Sequence, residues 1–262
     1  MTQKERRLFL IQELLQEFLN KQPQYAGMQI PSSEPEQKKL LRSLFNIRMP
    51  KAASRDFLEI QDAYLQAEIE EKGVTDIADL TPVRDNIYLW QGDITTLRCG
   101  AIVNAANSQM LGCFCPCHGC IDNAIHTFSG VQLRLECAEI MREQGFEEPI
   151  GRAKITSAYN LPCGKIIHTV GPYVGGKLTE KHCEQLRSCY RECLKTAVQN
   201  GISSIAFCCI STGEFHFPND KAAVIAVETV REFLKNNKNI EVIFNVFKDE
   251  DFRIYNELLA RN

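Results

Sequence analysis

The chain has 262 residues, is 44% apolar and 24% charged, and carries a formal net charge of −3. Such a composition is ordinary for a globular protein and gives no electrostatic case for nucleic acid as a main partner. No apolar run reaches membrane-spanning length, and Gln12, Glu13, Gln16 and Glu17 interrupt the first apolar segment, so it is not the core of a signal peptide. The expected compartment is the cytoplasm.

The first eighty residues carry helical signals. Leu8, Ile11, Leu14, Leu15 and Phe18 recur at helical spacing. Ser33-Glu34-Pro35-Glu36 reads as a capping box ahead of Leu40, Leu41, Leu44 and Phe45. Ser54 caps a third helix that buries Phe57, Leu58, Tyr64 and Leu65 and stops at Gly73. None of this carries chemistry, and the expected role is a helical cap on the main domain.

From Ile87 the pattern alternates. Expected strands are Ile87–Trp90, Ala101–Val103, Ala153–Ser157, Ile166–Val170, Ile205–Ile210 and Val242–Val246. Expected helices are Asp122–Gln144, Glu180–Asn200, Asp220–Asn236 and Asp249–Ala260. Strands alternating with helices imply a mixed or parallel sheet covered on both faces. The composition shift near Asp79–Asp85 marks the one boundary, giving an extension over 1–82 and a main domain over 83–262.

All twelve cysteines lie at or after Cys99, with no small disulfide framework. In a reducing compartment clustered cysteines are more often metal ligands than disulfides, and scattered ones such as Cys137, Cys189 and Cys193 are small buried hydrophobes. The cluster is Cys113, Cys115, Cys117, His118 and Cys120, in a loop after the polar turn Asn104-Ala105-Ala106-Asn107. Cys113, His118 and Cys120 have room to converge on one ion if the intervening segment forms a small loop braced by Pro116, with Cys115 and Cys117 pointing elsewhere. Three protein ligands leave a fourth position for water or substrate, and sulfur with imidazole favours zinc. The bland alternative is a set of incidental loop thiols.

Other positions read two ways. Asp122 is either a helix N-terminal carboxylate or one that orients water or a sugar hydroxyl, and Asn107 is a turn residue or a sugar ligand. Asp93 ends a strand. Ser211-Thr212-Gly213-Glu214-Phe215 follows another and suits a backbone cradle for a pyrophosphate. Phe247 stacks on a base or closes the core, the latter being usual. His126 and His168 are expected as satisfied core histidines.

Taken in order, Gln91-Gly92-Asp93-Ile94, Ile102-Val103-Asn104-Ala105-Ala106-Asn107, Ile121-Asp122-Asn123-Ala124-Ile125-His126, Ile167-His168-Thr169-Val170-Gly171-Pro172 and Ser211-Thr212-Gly213 resemble the macrodomain family, whose members bind ADP-ribose. The resemblance covers about residues 83 to 262. It implies an α/β protein: a three-layer α/β/α macrodomain with a mixed central sheet, preceded by an N-terminal helical extension. The glycine-rich loop of typical hydrolytic macrodomains is replaced here by Gly112–Cys120. This is similar to the zinc-dependent, sirtuin-linked subgroup of microbial ADP-ribosyl hydrolases, in which the motif's first Cys, its His and its last Cys hold Zn2+, matching Cys113, His118 and Cys120.

By the same resemblance Asp93 and the Ile94 amide read adenine, with Phe247 stacked on it. The amides of Ser211, Thr212, Gly213, Glu214 and Phe215 hold the diphosphate. Asn107 and Asp122 face the distal ribose as the catalytic pair. The implied activity removes mono-ADP-ribose from a modified protein, through an Asp/Glu ester, and the implied partners are a lipoyl carrier related to glycine cleavage H and a sirtuin-type ADP-ribosyltransferase. The competing readings are a non-catalytic ADP-ribose reader and, behind it, a structural zinc scaffold.

Overall fold

The computed structural model describes residues 1–19 and 28–260. Its main sheet has six strands in the order β2-β8-β7-β4-β6-β5: β2 (Ile87–Gln91), β4 (Ala101–Ala106), β5 (Ala153–Ser157), β6 (Lys165–Val170), β7 (Ser204–Phe207) and β8 (Glu241–Val246). All neighbours run parallel except β5 against β6, so the sheet is mixed, as expected. Two further short strands, β1 (Thr75–Asp76) and β3 (Leu97–Arg98), pair in parallel across the expected boundary.

Central strands read as continuous apolar runs because both their faces are covered. Ala101, Ile102, Val103, Ile166, Ile167, Ile205, Ala206, Val242 and Ile243 are all fully buried. Helices α6 (Glu180–Gln199), α7 (Asn219–Leu234) and α8 (Asp249–Ala260) pack side by side in one layer, while α4 (Ile121–Ser129) and α5 (Val131–Gln144) pair in the other. None of the described helices is long and apolar enough to cross a membrane.

Before the sheet come α1 (Gln3–Leu19), α2 (Glu34–Ile47) and α3 (Arg55–Lys72). Their apolar faces form a second core around Leu10, Leu14, Leu41, Leu44, Phe57 and Leu65, which reaches Val131 of α5. Ser54 caps α3 as expected, accepting from the Phe57 amide at 3.2 Å. Ser33 does not cap α2. Its hydroxyl donates to the Glu36 carboxylate at 2.5 Å instead, and Pro35 in the first turn has no amide to cap.

Most element bounds fall close to expectation, and the larger differences are these. The single helix expected over Asp122–Gln144 is two, broken at Gly130, whose φ of +102° no helix accommodates. The strand expected to reach Ile210 ends at Phe207, so Cys208 and Cys209 lead into the next loop. Conversely β4 runs on to Ala106, so Asn104 lies in a buried strand rather than a turn.

Candidate active site

Every candidate site residue lies at or beyond the carboxyl end of a strand, and the sheet order sets the site's layout. At one end β2 and β8 are neighbours, with Gln91 opposite Val246. Asp93 and Phe247 therefore leave the sheet side by side. Phe247 is 75% exposed, so it does not close the core and its ring face is free to meet a ligand. One Asp93 oxygen accepts from the Thr95 amide (3.0 Å) and hydroxyl (2.6 Å), and the other from Lys72 Nζ at 2.9 Å. Burial works to raise the Asp93 pKa, but the Thr95 donors and the Lys72 charge outweigh it and hold it below the usual carboxylate range. Ile94 is buried at the start of the turn after Asp93.

Next in the sheet, the loop after β7 turns tightly. Ser211 takes a left-handed φ of +66°, and Phe217 N donates back to its carbonyl at 2.9 Å. The Thr212 and His216 amides are used within the loop, whereas those of Gly213, Glu214 and Phe215 meet no protein acceptor among the described residues. Consecutive free amides are an anion cradle. The loop lies so close to the segment after β6 that a Cβ on Gly171 would collide with Ser211 Oγ. From that segment, exposed Tyr173 meets Phe215 edge-on at 5.9 Å.

Beyond β4 stand Asn107 and Asp122. Asp122 is buried at the first turn of α4; its Oδ1 accepts from Asn104 Nδ2 at 2.8 Å and its Oδ2 from Asn107 Nδ2 at 3.3 Å. Burial dominates over the Asn104 donor and the Arg134 charge and pushes its pKa up to about 6, close enough to neutral for proton transfer. His126 Nε2 lies 3.5 Å from Asp122 Oδ1, but burial drives the imidazole pKa well below its ordinary value, so this is contact with a neutral ring.

The loop from Cys113 to Cys120 brings three donors together. Ligand atoms of Cys113, His118 and Cys120 all lie within 4.8 Å of one another, with Cys113 Sγ and His118 Nδ1 at 3.6 Å. A tetrahedral zinc with bonds of about 2.3 Å to sulfur and about 2.1 Å to nitrogen spaces such a pair at roughly 3.6 Å. Donor types and spacing therefore fit the ion. Burial pushes the Cys120 thiol up to about 12, so an ion must displace its proton on binding. His118 Nε2 also comes within 3.5 Å of Glu214 Oε1, which sets the triad against the loop after β7.

The expected residues thus occupy three adjoining stations along the sheet. Cys115 is exposed and Cys117 turns to α2, both away from the triad. His168 is a satisfied core histidine, bonded to Asn104 (3.1 Å) and Thr156 (2.9 Å). His126 is buried but not satisfied: neither ring nitrogen has a hydrogen-bond partner among the described residues, and a cavity of about 10 Å³ lies beside it. Sequence reasoning gave no role to Asn104, which bonds Asp122, to Lys72, which pairs with Asp93, or to Asn123 and Arg42, which bond each other and the Cys113–Cys120 loop. The two asparagines stand inside quoted motifs; the lysine and arginine sit on helices remote in sequence, where no local signal marks them.

A family model described as Macro domain matches residues 103–226. A protein-ADP-ribose hydrolase of Treponema medium is 57% identical over 265 residues, covering 99% of this chain and all of the relative. Among solved structures, the Oceanobacillus iheyensis macrodomain with ADP superposes with a TM-score of 0.63 at 38% identity, covering 69% of this chain and 93% of that one. The Trypanosoma brucei macrodomain in complex with ADP-ribose gives 0.64 at 31% identity, covering 84% and 95%. This chain belongs to the macro domain family.

Proposed function

We propose that this chain is a zinc-dependent protein-ADP-ribosyl hydrolase that cleaves the ester between the distal ribose of ADP-ribose and a protein carboxylate. The hydrolase activity follows from the full-length likeness to a protein-ADP-ribose hydrolase, and ADP-ribose as the bound nucleotide from the liganded relatives. One observation carries the metal-dependent chemistry: Cys113, His118 and Cys120 converge, Cys120 two residues before Asp122, while His118 touches Glu214 of the loop after β7.

In this reading Asp93 and the Ile94 backbone read adenine against the exposed Phe247 ring, and the amides of Ser211 to Phe215 take the diphosphate. The distal ribose then falls at the Asn107 and Asp122 station. Cys113, His118 and Cys120 would hold the zinc, which when bound would supply a Lewis acid for a ribose or ester oxygen, or a water with its pKa lowered toward ~7. Asp122, poised near neutrality, accepts a proton from the attacking water or a ribose hydroxyl. Asn104 and Asn107 fix its two oxygens so that little reorganisation is left for the reaction. A lipoyl carrier as the modified protein, with a sirtuin-type transferase as the opposing activity, rests on the subgroup resemblance alone.

Replacing Cys113 or His118 by Ala is expected to abolish release of ADP-ribose from a modified protein while calorimetric ADP-ribose binding survives. Full turnover by the double variant would sink the proposal. A reader, in contrast, would bind ADP-ribose and release none with or without a chelator.

A further inference from the structure

We propose that helix α2 of the N-terminal extension is a positioning element for the metal triad, acting through an Arg42–Asn123 pair that ties all three ligand residues in place. This rests on the zinc reading above. The segment from Cys113 to Cys120 forms no helix or strand; its internal backbone bond, His118 N to the Cys115 carbonyl at 3.2 Å, closes one turn and leaves Cys113 and Cys120 to be fixed from elsewhere.

The fixing comes from outside. Arg42 Nε and Nη2 both donate to Asn123 Oδ1, at 3.2 and 2.8 Å. That sets which end of the fully buried Asn123 carboxamide faces the loop. Its Nδ2 then donates to the carbonyls of Cys115 at 3.0 Å and Cys113 at 3.5 Å, and its backbone amide approaches Cys120 Sγ at 3.4 Å. The same Arg42 Nη2 reaches the His118 carbonyl at 3.1 Å. One guanidinium therefore holds one ligand residue directly and the other two through Asn123.

A second set of contacts pins the loop's apex. Cys117 takes a left-handed φ of +54°; its amide donates to Asn46 Oδ1 at 2.8 Å, and its thiol lies 3.2 Å from Ser43 Oγ and 3.4 Å from the Lys39 carbonyl. Lys39, Ser43 and Asn46 are all on α2. Groups behind metal ligands orient them, and the planar, forked guanidinium serves two acceptors at once where a lysine serves each singly.

The test compares zinc-loaded full-length wild type, Arg42→Ala and Arg42→Lys. Zinc transfer to a chromogenic chelator is followed, with the visible spectrum of the cobalt-substituted proteins as a readout of ligand geometry. The expected result is zinc loss ~10–100-fold faster in Arg42→Ala, a changed cobalt spectrum, and intermediate behaviour in Arg42→Lys. ADP-ribose affinity and the melting midpoint of the metal-free protein should stay at wild-type values. Wild-type zinc release and an unchanged cobalt spectrum in a loaded Arg42→Ala protein would overturn this inference alone. So would faster release accompanied by equal loss of metal-free stability, which would mark a general folding defect. A wild type that takes up no zinc would overturn the functional proposal and this inference with it.

Discussion

In the proposed reaction Asp122 is the proton acceptor, and unequal opposing effects set its pKa. Burial favours the neutral acid, the Asn104 amide and the Arg134 charge favour the carboxylate, and burial wins far enough to bring the pKa to about 6. Asp122→Asn keeps the shape and removes the proton acceptor. Turnover should fall by ~10²–10⁴-fold, measured as ADP-ribose released from modified protein, with ADP-ribose affinity little changed; turnover within a few-fold of wild type would remove Asp122 from the mechanism. Phe247 tests the opposite end. Its exposed ring has no core to support, so Phe247→Ala should leave stability alone and weaken ADP-ribose binding by about 1–3 kcal/mol in calorimetry. Sequence context could not separate these roles: a lone aromatic after a strand is usually core, and a carboxylate near a helix start is usually a dipole partner.

Among the elements, strands and helices of the main domain were largely legible because their periodicities switch cleanly between runs of β-branched residues and amphipathic helices. The largest miss lies where a single residue changes the backbone. Gly130 splits one apolar helical pattern into α4 and α5, and its φ of +102° is invisible in the periodicity. A side chain there would be strained and would press on the Gln61 amide and Gln132, which bond to each other at 2.7 Å where α3 meets α5. Gly130→Ala should cost about 1–3 kcal/mol in denaturant unfolding, and an unchanged midpoint would contradict this account of the break. The triad was legible from its spacing and residue types. Its support was not, because Arg42 and Asn46 lie more than sixty residues upstream on a helix whose own pattern announces only packing.

Across the whole molecule, buried neutral histidines couple stability to pH. His168 is fully buried between Asn104 and Thr156, and burial lowers its pKa to about 3. The unfolded chain binds a proton below about 6.5 where the folded chain does not, so its contribution is present above that pH and is lost as pH falls toward 3. His126 shifts in the same direction. Asp122 shifts the other way: with its folded pKa raised, it favours the folded chain as pH falls from about 6 toward 4. For His168 alone, lowering pH from 6.5 to 5 costs roughly 1.5–2 kcal/mol. Comparing metal-free wild type with His168→Gln at the two pH values isolates this term, since the variant should lose correspondingly less; equal losses would contradict it.

The sheet order joins these scales. It sets Asp93 and Phe247 at the ends of β2 and β8, the Ser211 loop on β7 and the Cys113, His118 and Cys120 triad beyond β4, with the extension closing on the last of them. Whether a metal at that last station drives the chemistry is decided most directly by ADP-ribose release from an ester-modified protein as zinc is removed by a chelator and then returned. Release should vanish with the ion and return in proportion to zinc, saturating at one per chain, while ADP-ribose binding persists throughout. Undiminished release by the stripped chain would contradict the account.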